Sequence, residues 1–239
     1  MAGYGMNAGI ADAENLAWLL AAHLQGWANT SILDAYEAER QPITEQVSQF
    51  AMNHALALQA QREAVPMAIE NDSPAGAQAR ARVGEALYEL NVKQYCCGGL
   101  NYGYFYERSP LIAYDGQAAP PYTMNEFVQS TVPGCRTPHV WLQGDGAGNT
   151  SLYDRMGPDY TLIRLDATVN IAPLLHAAQA ANLPLDVLDI TASDMTSESE
   201  RRALSHKLIL SRPDFHVAWR GNDLPNDCAA LVRRLRGME

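Results

Sequence analysis

No apolar run in the first amphipathic segment of this sequence exceeds residues 16–22, against the roughly 20 residues that a membrane-spanning helix needs. No basic stretch followed by an apolar core marks an export signal. Positive charge is also scarce: 17 Lys and Arg stand against 27 Asp and Glu, for a formal net charge of −10. The basic residues are scattered, which argues against a nucleic-acid partner. Cysteine is limited to Cys96, Cys97, Cys135 and Cys228, with no C-x-x-C and no ligand-like spacing to histidine. Adjacent Cys96 and Cys97 are poorly placed to bond each other, so buried free thiols and a reducing cytoplasm are expected. A G-x-G-x-x-G after a strand is lacking, as is a Walker A run, so the usual phosphate cradles are missing.

What remains is an ordinary globular composition, 47% apolar. From residue 7 to residue 24, Ile10, Ala13, Leu16, Ala17, Leu20, Ala21 and Leu24 recur at helical spacing. Asn7 is the expected N-cap of this helix and Gly26 its left-handed stop. Ser31 and Asp34 have capping-box spacing at the start of a second helix, which Pro42 is expected to break or kink. A loose connection holding a short helix follows over residues 64–86. The tyrosine-rich stretch around Tyr95, Tyr102, Tyr104, Phe105 and Tyr106 reads as strand and irregular packing chain. Pro120 and Pro121 lie in a segment of linker composition, which places a domain boundary at about residue 125.

Beyond it the pattern is strand, strand, helix, strand, helix, strand, strand, helix. The expected fold class is therefore mixed α/β. A mostly helical unit over residues 1–125 precedes a thioredoxin-like layer over residues 126–239 that lacks the C-x-x-C of disulfide exchange. Pro225 is expected in the first turn of the last helix, and Gly237 stops it.

Chemically, a glycine-rich turn opening a helix exposes unpaired N–H groups at the positive end of the macrodipole, where an anionic or carbonyl-rich ring can dock. His139 with Asp154, or Cys135 with His139, could be drawn as reactive pairs, but neither has a third partner in a recognisable pattern. His23, His54, His176, His206 and His216 stand isolated, as packed or surface residues rather than metal ligands.

The segment GYGMNAGIADAENLAWLLAAHLQG with ILDAYEAERQP resembles a flavin-contacting motif of the FAD-dependent aromatic hydroxylases, the single-component flavoprotein monooxygenases related to p-hydroxybenzoate and phenol hydroxylase. The pieces STVPGCRTPHVWL, SLYDRMGPDYTLIRLD and RPDFHVAWRG resemble the thioredoxin-like C-terminal domain of the phenol-hydroxylase branch. The resemblance implies that Gly3, Gly5, Met6 and Asn7 lie beside the pyrimidine edge of FAD, with the N–H groups of Met6 and Asn7 facing its carbonyl and N1. It implies FAD as cofactor, NAD(P)H as co-substrate, and oxygen transfer from O₂ to a small phenolic substrate.

The dinucleotide fingerprint and substrate sheet of that family have no counterpart here. The expectation is thus a C-terminal portion of such an enzyme, inactive alone, docking to the missing N-terminal part or forming a homodimer. A non-catalytic thioredoxin-like interaction or dimerisation module is the alternative, and the uncovered Ile10, Leu16, Leu20, Leu24 stripe bears on it.

Overall fold

A computed structural model describes residues 4–144 and 148–238. Helix α1, Tyr4–Leu24, ends where Gly26 takes a left-handed conformation at φ +82°. It buries Asn15, Trp18, Leu19 and Ala22, a face defined by i, i+3, i+4, i+7 spacing. The stripe identified from periodicity is on another side: Ile10 and Leu24 are 60% and 81% exposed. Asn7 lies inside α1 instead of capping it.

A 3-10 turn at Thr30–Leu33 leads into α2, Asp34–Glu63. At this junction the expected side-chain cap and the expected break are both absent. Ser31 donates its hydroxyl to the Gly237 carbonyl (2.6 Å) instead of capping α2. Pro42 neither starts nor ends a helix, for α2 runs through it, with Ala35, Glu39, Arg40 and Ile43 buried on both sides of the ring. One missing amide donor is outweighed by a helix face that packs continuously.

Helix α3, Pro74–Tyr95, is longer than composition suggested; Ser73 caps it by accepting from the Gly76 N–H (3.2 Å), and Pro74 takes its first turn. The tyrosine-rich stretch forms short α4, Gly98–Tyr102, then irregular chain, with no strand in the described residues. That chain is strung along the later sheet: the N–H groups of Ala113 and Gly134 donate to the carbonyls of Ala218 and Val217 (both 2.8 Å).

Strands β1, Trp141–Leu142, and β2, Thr150–Ser151, form a small antiparallel pair, followed by α5, Leu152–Arg155. The main sheet contains β3, Tyr160–Arg164, β4, Leu185–Asp189, β5, Leu208–Ser211, and β6, Val217–Gly221, in the order β4-β3-β5-β6. β3 and β4 are parallel, joined through α6, Ala172–Ala180, while β5 runs antiparallel to both β3 and β6. Helices α7, Glu198–Ala203, and α8, Cys228–Leu235, complete a mixed α/β architecture. Asp227 caps α8 through the Ala230 N–H (2.8 Å), so Pro225 precedes the helix rather than occupying its first turn.

Strands β3, β5 and β6 are buried on both faces, their successive residues pointing to opposite sides, while edge strand β4 is largely exposed. On one face Tyr160, Leu162, Leu208, Leu210 and Ala218 share a core with Leu174 of α6, with Leu231 and Leu235 of α8, and with Trp18, Leu19, Trp27, Ile32 and Leu111. On the other, Ile163, Ile209 and Val217 pack on Val140, Leu142, Leu152 and Ile190. The main core thus draws side chains from both sides of residue 125. Trp18 and Trp27 meet the buried Tyr160 ring edge-on at 6.2 and 6.1 Å.

Candidate functional site

Gly3 lies outside the described residues. Gly5, Met6 and Asn7 stand in the first turns of α1, all exposed, Met6 by 74%. The first N–H groups of a helix have no partner within it, and the macrodipole is positive there. Among the described residues, nothing beyond the adjoining backbone of α1 lies within 4 Å of where a Cβ would stand on Gly5 or Gly9. A flat ring can therefore approach this backbone closely.

Tyr4 anchors the turn from beneath. Its hydroxyl donates to the Gln94 carbonyl (2.6 Å), and its ring tilts against Phe50 at 5.5 Å. Burial, then Cys97, pushes the Tyr4 phenol up to about 12. Beside the turn a cleft of about 560 Å³ runs between α1 and α2, lined by small residues such as Gly5, Ala8, Gly9, Thr44, Ser48 and Ala51. A neighbouring cleft of about 670 Å³ continues along α2 past Asp12, Tyr36 and Arg40. A 60 Å³ cavity behind the turn is shared by Asn7, Arg40, Asn101 and Tyr104.

Two consecutive α2 residues grip α1. Arg40, 3% exposed, donates from Nε to Asp12 (2.8 Å) and stacks its guanidinium 5.2 Å over the Tyr104 ring. Glu39, 1% exposed, accepts from Asn15 Nδ2 (2.8 Å). Glu39 also receives both terminal nitrogens of Arg212 at 2.5 and 2.8 Å, and the Ser109 hydroxyl donates to it as well.

Arg212 is wholly buried; its Nε and Nη2 donate to Asp214 (3.0 and 2.6 Å), and Nη1 approaches Ser109 Oγ (3.4 Å). The guanidinium sits between Trp18 and Tyr106, 4.8 and 5.2 Å from the rings. Burial alone would raise the Asp214 carboxyl, but Arg212 and His216 hold it well below the usual carboxylate range. Burial, then Asp214, pushes the Tyr106 phenol well up.

The pairs drawn from His139 do not form a reactive site. His139 Nε2 bonds Ser151 Oγ (2.9 Å), Asp154 faces solvent, and burial pushes the Cys135 thiol up to about 11, where the reactive thiolate is scarce. Among the described residues, no three His, Cys, Asp or Glu side chains are grouped to hold a metal. No described helix is long and apolar enough to cross a membrane. Composition and spacing did not single out Arg40, Asn15 or Arg212, because their partners lie on remote elements. The only signal was their presence inside the quoted EAER, AEN and RPD strings.

Comparison with known proteins agrees with this layout. Residues 1–51 match the FAD binding domain family and residues 130–238 the family described as aromatic-ring hydroxylase, C-terminal. The chain is 30% identical to an FAD-dependent monooxygenase of Penicillium oxalicum, covering 93% of this chain and 42% of that protein. It is 31% identical to a phenol 2-monooxygenase of a Pseudomonas species (94% and 41%) and 31% identical to the 2,4-dichlorophenol 6-monooxygenase of Cupriavidus pinatubonensis (99% and 44%). It spans about two fifths of the length of these relatives.

Among solved structures it superposes on the rebeccamycin biosynthetic enzyme RebC with reduced flavin at a TM-score of 0.85 (30% identity, 100% of this chain, 42% of that one). It superposes on the flavin-dependent monooxygenase PieE in complex with FAD and substrate at 0.79 (26%, 100% and 45%). A helical pair bearing an open glycine turn, packed on a four-stranded mixed sheet, is thus the architecture of part of a flavin-dependent monooxygenase. Over these two regions the chain is similar to the FAD-dependent aromatic-ring hydroxylases.

Proposed function

We propose that this chain supplies the ring-facing helix and the C-terminal layer of an FAD-dependent hydroxylase of phenolic compounds, and that alone it turns nothing over. The observation that carries this reading is the exposed Gly5-Met6-Asn7 turn of α1 opening on a cleft lined by small residues. These residues fit one edge of FAD and no more, for no phosphate-binding fingerprint follows a strand in the sequence.

Bound FAD, reduced by NAD(P)H, would supply the oxygen chemistry. The chain's own contribution is electrostatic. N–H groups at the start of α1, with Gly3 in the same motif, would face the pyrimidine edge of the ring, where reduction places negative charge. Their fixed orientation requires no rearrangement as charge develops.

The rest of a flavin domain would cover the second apolar side of α1. In its C-terminal half the helix is apolar nearly all round, with Trp18, Leu19 and Ala22 inside and Leu20 and Leu24 outside, the composition of a helix covered on both sides. We place the protein in the cytoplasm, where four unpaired cysteines are at home. The division at residue 125 would separate the flavin-facing unit from a thioredoxin-like one, which the parallel β3-α6-β4 unit followed by the β5-β6 hairpin and α8 supports.

The test is flavin binding. Purified alone, the chain should carry no stoichiometric flavin absorbance and oxidise no NAD(P)H. Co-produced with the N-terminal flavin portion of a relative such as the Pseudomonas phenol 2-monooxygenase, it should co-purify with that portion and FAD, and Gly5→Val should abolish this. A yellow, NAD(P)H-oxidising chain on its own would overturn the reading. A stable homodimer that buries the Ile10 and Leu24 face and recruits no flavin portion would favour the interaction-module alternative.

A further inference from the structure

The buried charges around Arg212 invite the question of what they do for a helix whose core contacts would hold it anyway. Desolvating a guanidinium and two carboxylates is costly, and well-packed apolar residues of equal volume often give equal stability. What apolar packing cannot supply is direction, because it does not fix rotation or sliding as a hydrogen bond does.

Between Tyr4 and Asn15 no side chain of α1 is fully buried, so its ring-facing half is held at its ends and by polar contacts. Glu39 and Arg40 take Asn15 and Asp12, one turn apart on α1. Glu39 is in turn fixed by both terminal nitrogens of Arg212, whose remaining donors face Asp214 and Ser109. A planar fork that uses both edges leaves Glu39 one orientation.

We propose that Arg212, on the β5–β6 hairpin of the C-terminal layer, is a positioning residue for the flavin-facing half of α1, acting through Glu39 and Asn15. This rests on the reading of the Gly5-Met6-Asn7 turn as flavin-facing. Asn15 lies ten residues along α1 from Gly5, about 15 Å at helical rise, so a small tilt at Asn15 displaces the turn by a large fraction of a bond length or more. The C-terminal layer thereby sets the placement of N–H groups far from it in sequence.

Hydrogen exchange on the chain as it stands tests this without flavin. Arg212→Lys keeps the charge and loses the fork, whereas Asn15→Leu leaves Arg212 paired with Glu39 and Asp214 and removes only the donor that Asn15 offers to Glu39, Asp214 and Tyr106. Both should speed exchange in peptides covering residues 5–16 by about tenfold while leaving β3 and β5 within about twofold. Equal acceleration everywhere, or an unchanged α1, would overturn the proposal, and if Arg212→Lys fails to fold Asn15→Leu decides. Failure of the flavin reading would show itself separately, as a chain that recruits FAD with no partner portion.

Discussion

Removing the Arg212 guanidinium would leave Glu39 and Asp214, both almost fully buried, without their shared cation. Arg212→Ala is therefore expected to cost about 3–5 kcal/mol of unfolding free energy, measured by urea denaturation; a loss under 1 kcal/mol would mean that water replaces the guanidinium. The Asp214 carboxyl is held below its ordinary value in the folded state, so its contribution is complete above about pH 4 and is lost as pH falls through the lowered folded value. Asp214→Asn should accordingly flatten the fall of stability below about pH 4, read from urea midpoints between pH 2 and 5. The thiols give a third outcome. Cys96 is exposed, and Cys97, Cys135 and Cys228 are buried, with burial pushing the Cys135 thiol up to about 11. One thiol per chain should react rapidly with a disulfide reagent under native conditions and the other three only on unfolding.

At the level of elements, Pro42 is the informative residue. It removes one N–H from the interior of α2, and a proline ring in a helix crowds the carbonyl four residues before it. Pro42→Ala is expected to raise the thermal midpoint by a few degrees. A lower midpoint would instead mean that a local bend seats Glu39 and Arg40 against α1. Helix α3 shows the opposite dependence. Its buried residues are Gly76 and Ala79, so little apolar surface holds it, and its start relies on the Ser73 cap. Ser73→Ala should cost about 1 kcal/mol locally, seen as faster exchange in α3 with the sheet unaffected.

For the whole molecule, the shared core decides how the two halves behave when cut. Residues 114–118 are exposed and of linker composition, so a protease should nick there. The pieces should nevertheless stay together, because Trp18, Trp27, Ile32 and Leu111 pack on the sheet and Arg236 donates to the Trp27 carbonyl (2.5 Å). Native size exclusion of the nicked chain checks this, and two separately eluting fragments would show that the halves are independent. Arg220 adds to the joint by holding Asp115 (2.8 Å), within that stretch, and Thr131 (2.9 Å), beyond it.

The sequence by itself determined what depends on neighbours along the chain. Helical periodicity and Gly26 located α1, short apolar runs located β3 through β6, and Gly237, left-handed at φ +67°, closed α8. The glycine turn and the strings around EAER and RPD were enough to indicate the family. Only the tertiary structure decided which side of α1 is inside, because apolar residues occur on both and periodicity cannot choose between them. It also decided that α2 continues through Pro42, that Ser31 bonds the far end of the chain instead of its own helix, and that Arg212 meets Glu39. Each of these joins residues distant in sequence, and such pairings are set by packing and desolvation in three dimensions, which no local propensity encodes.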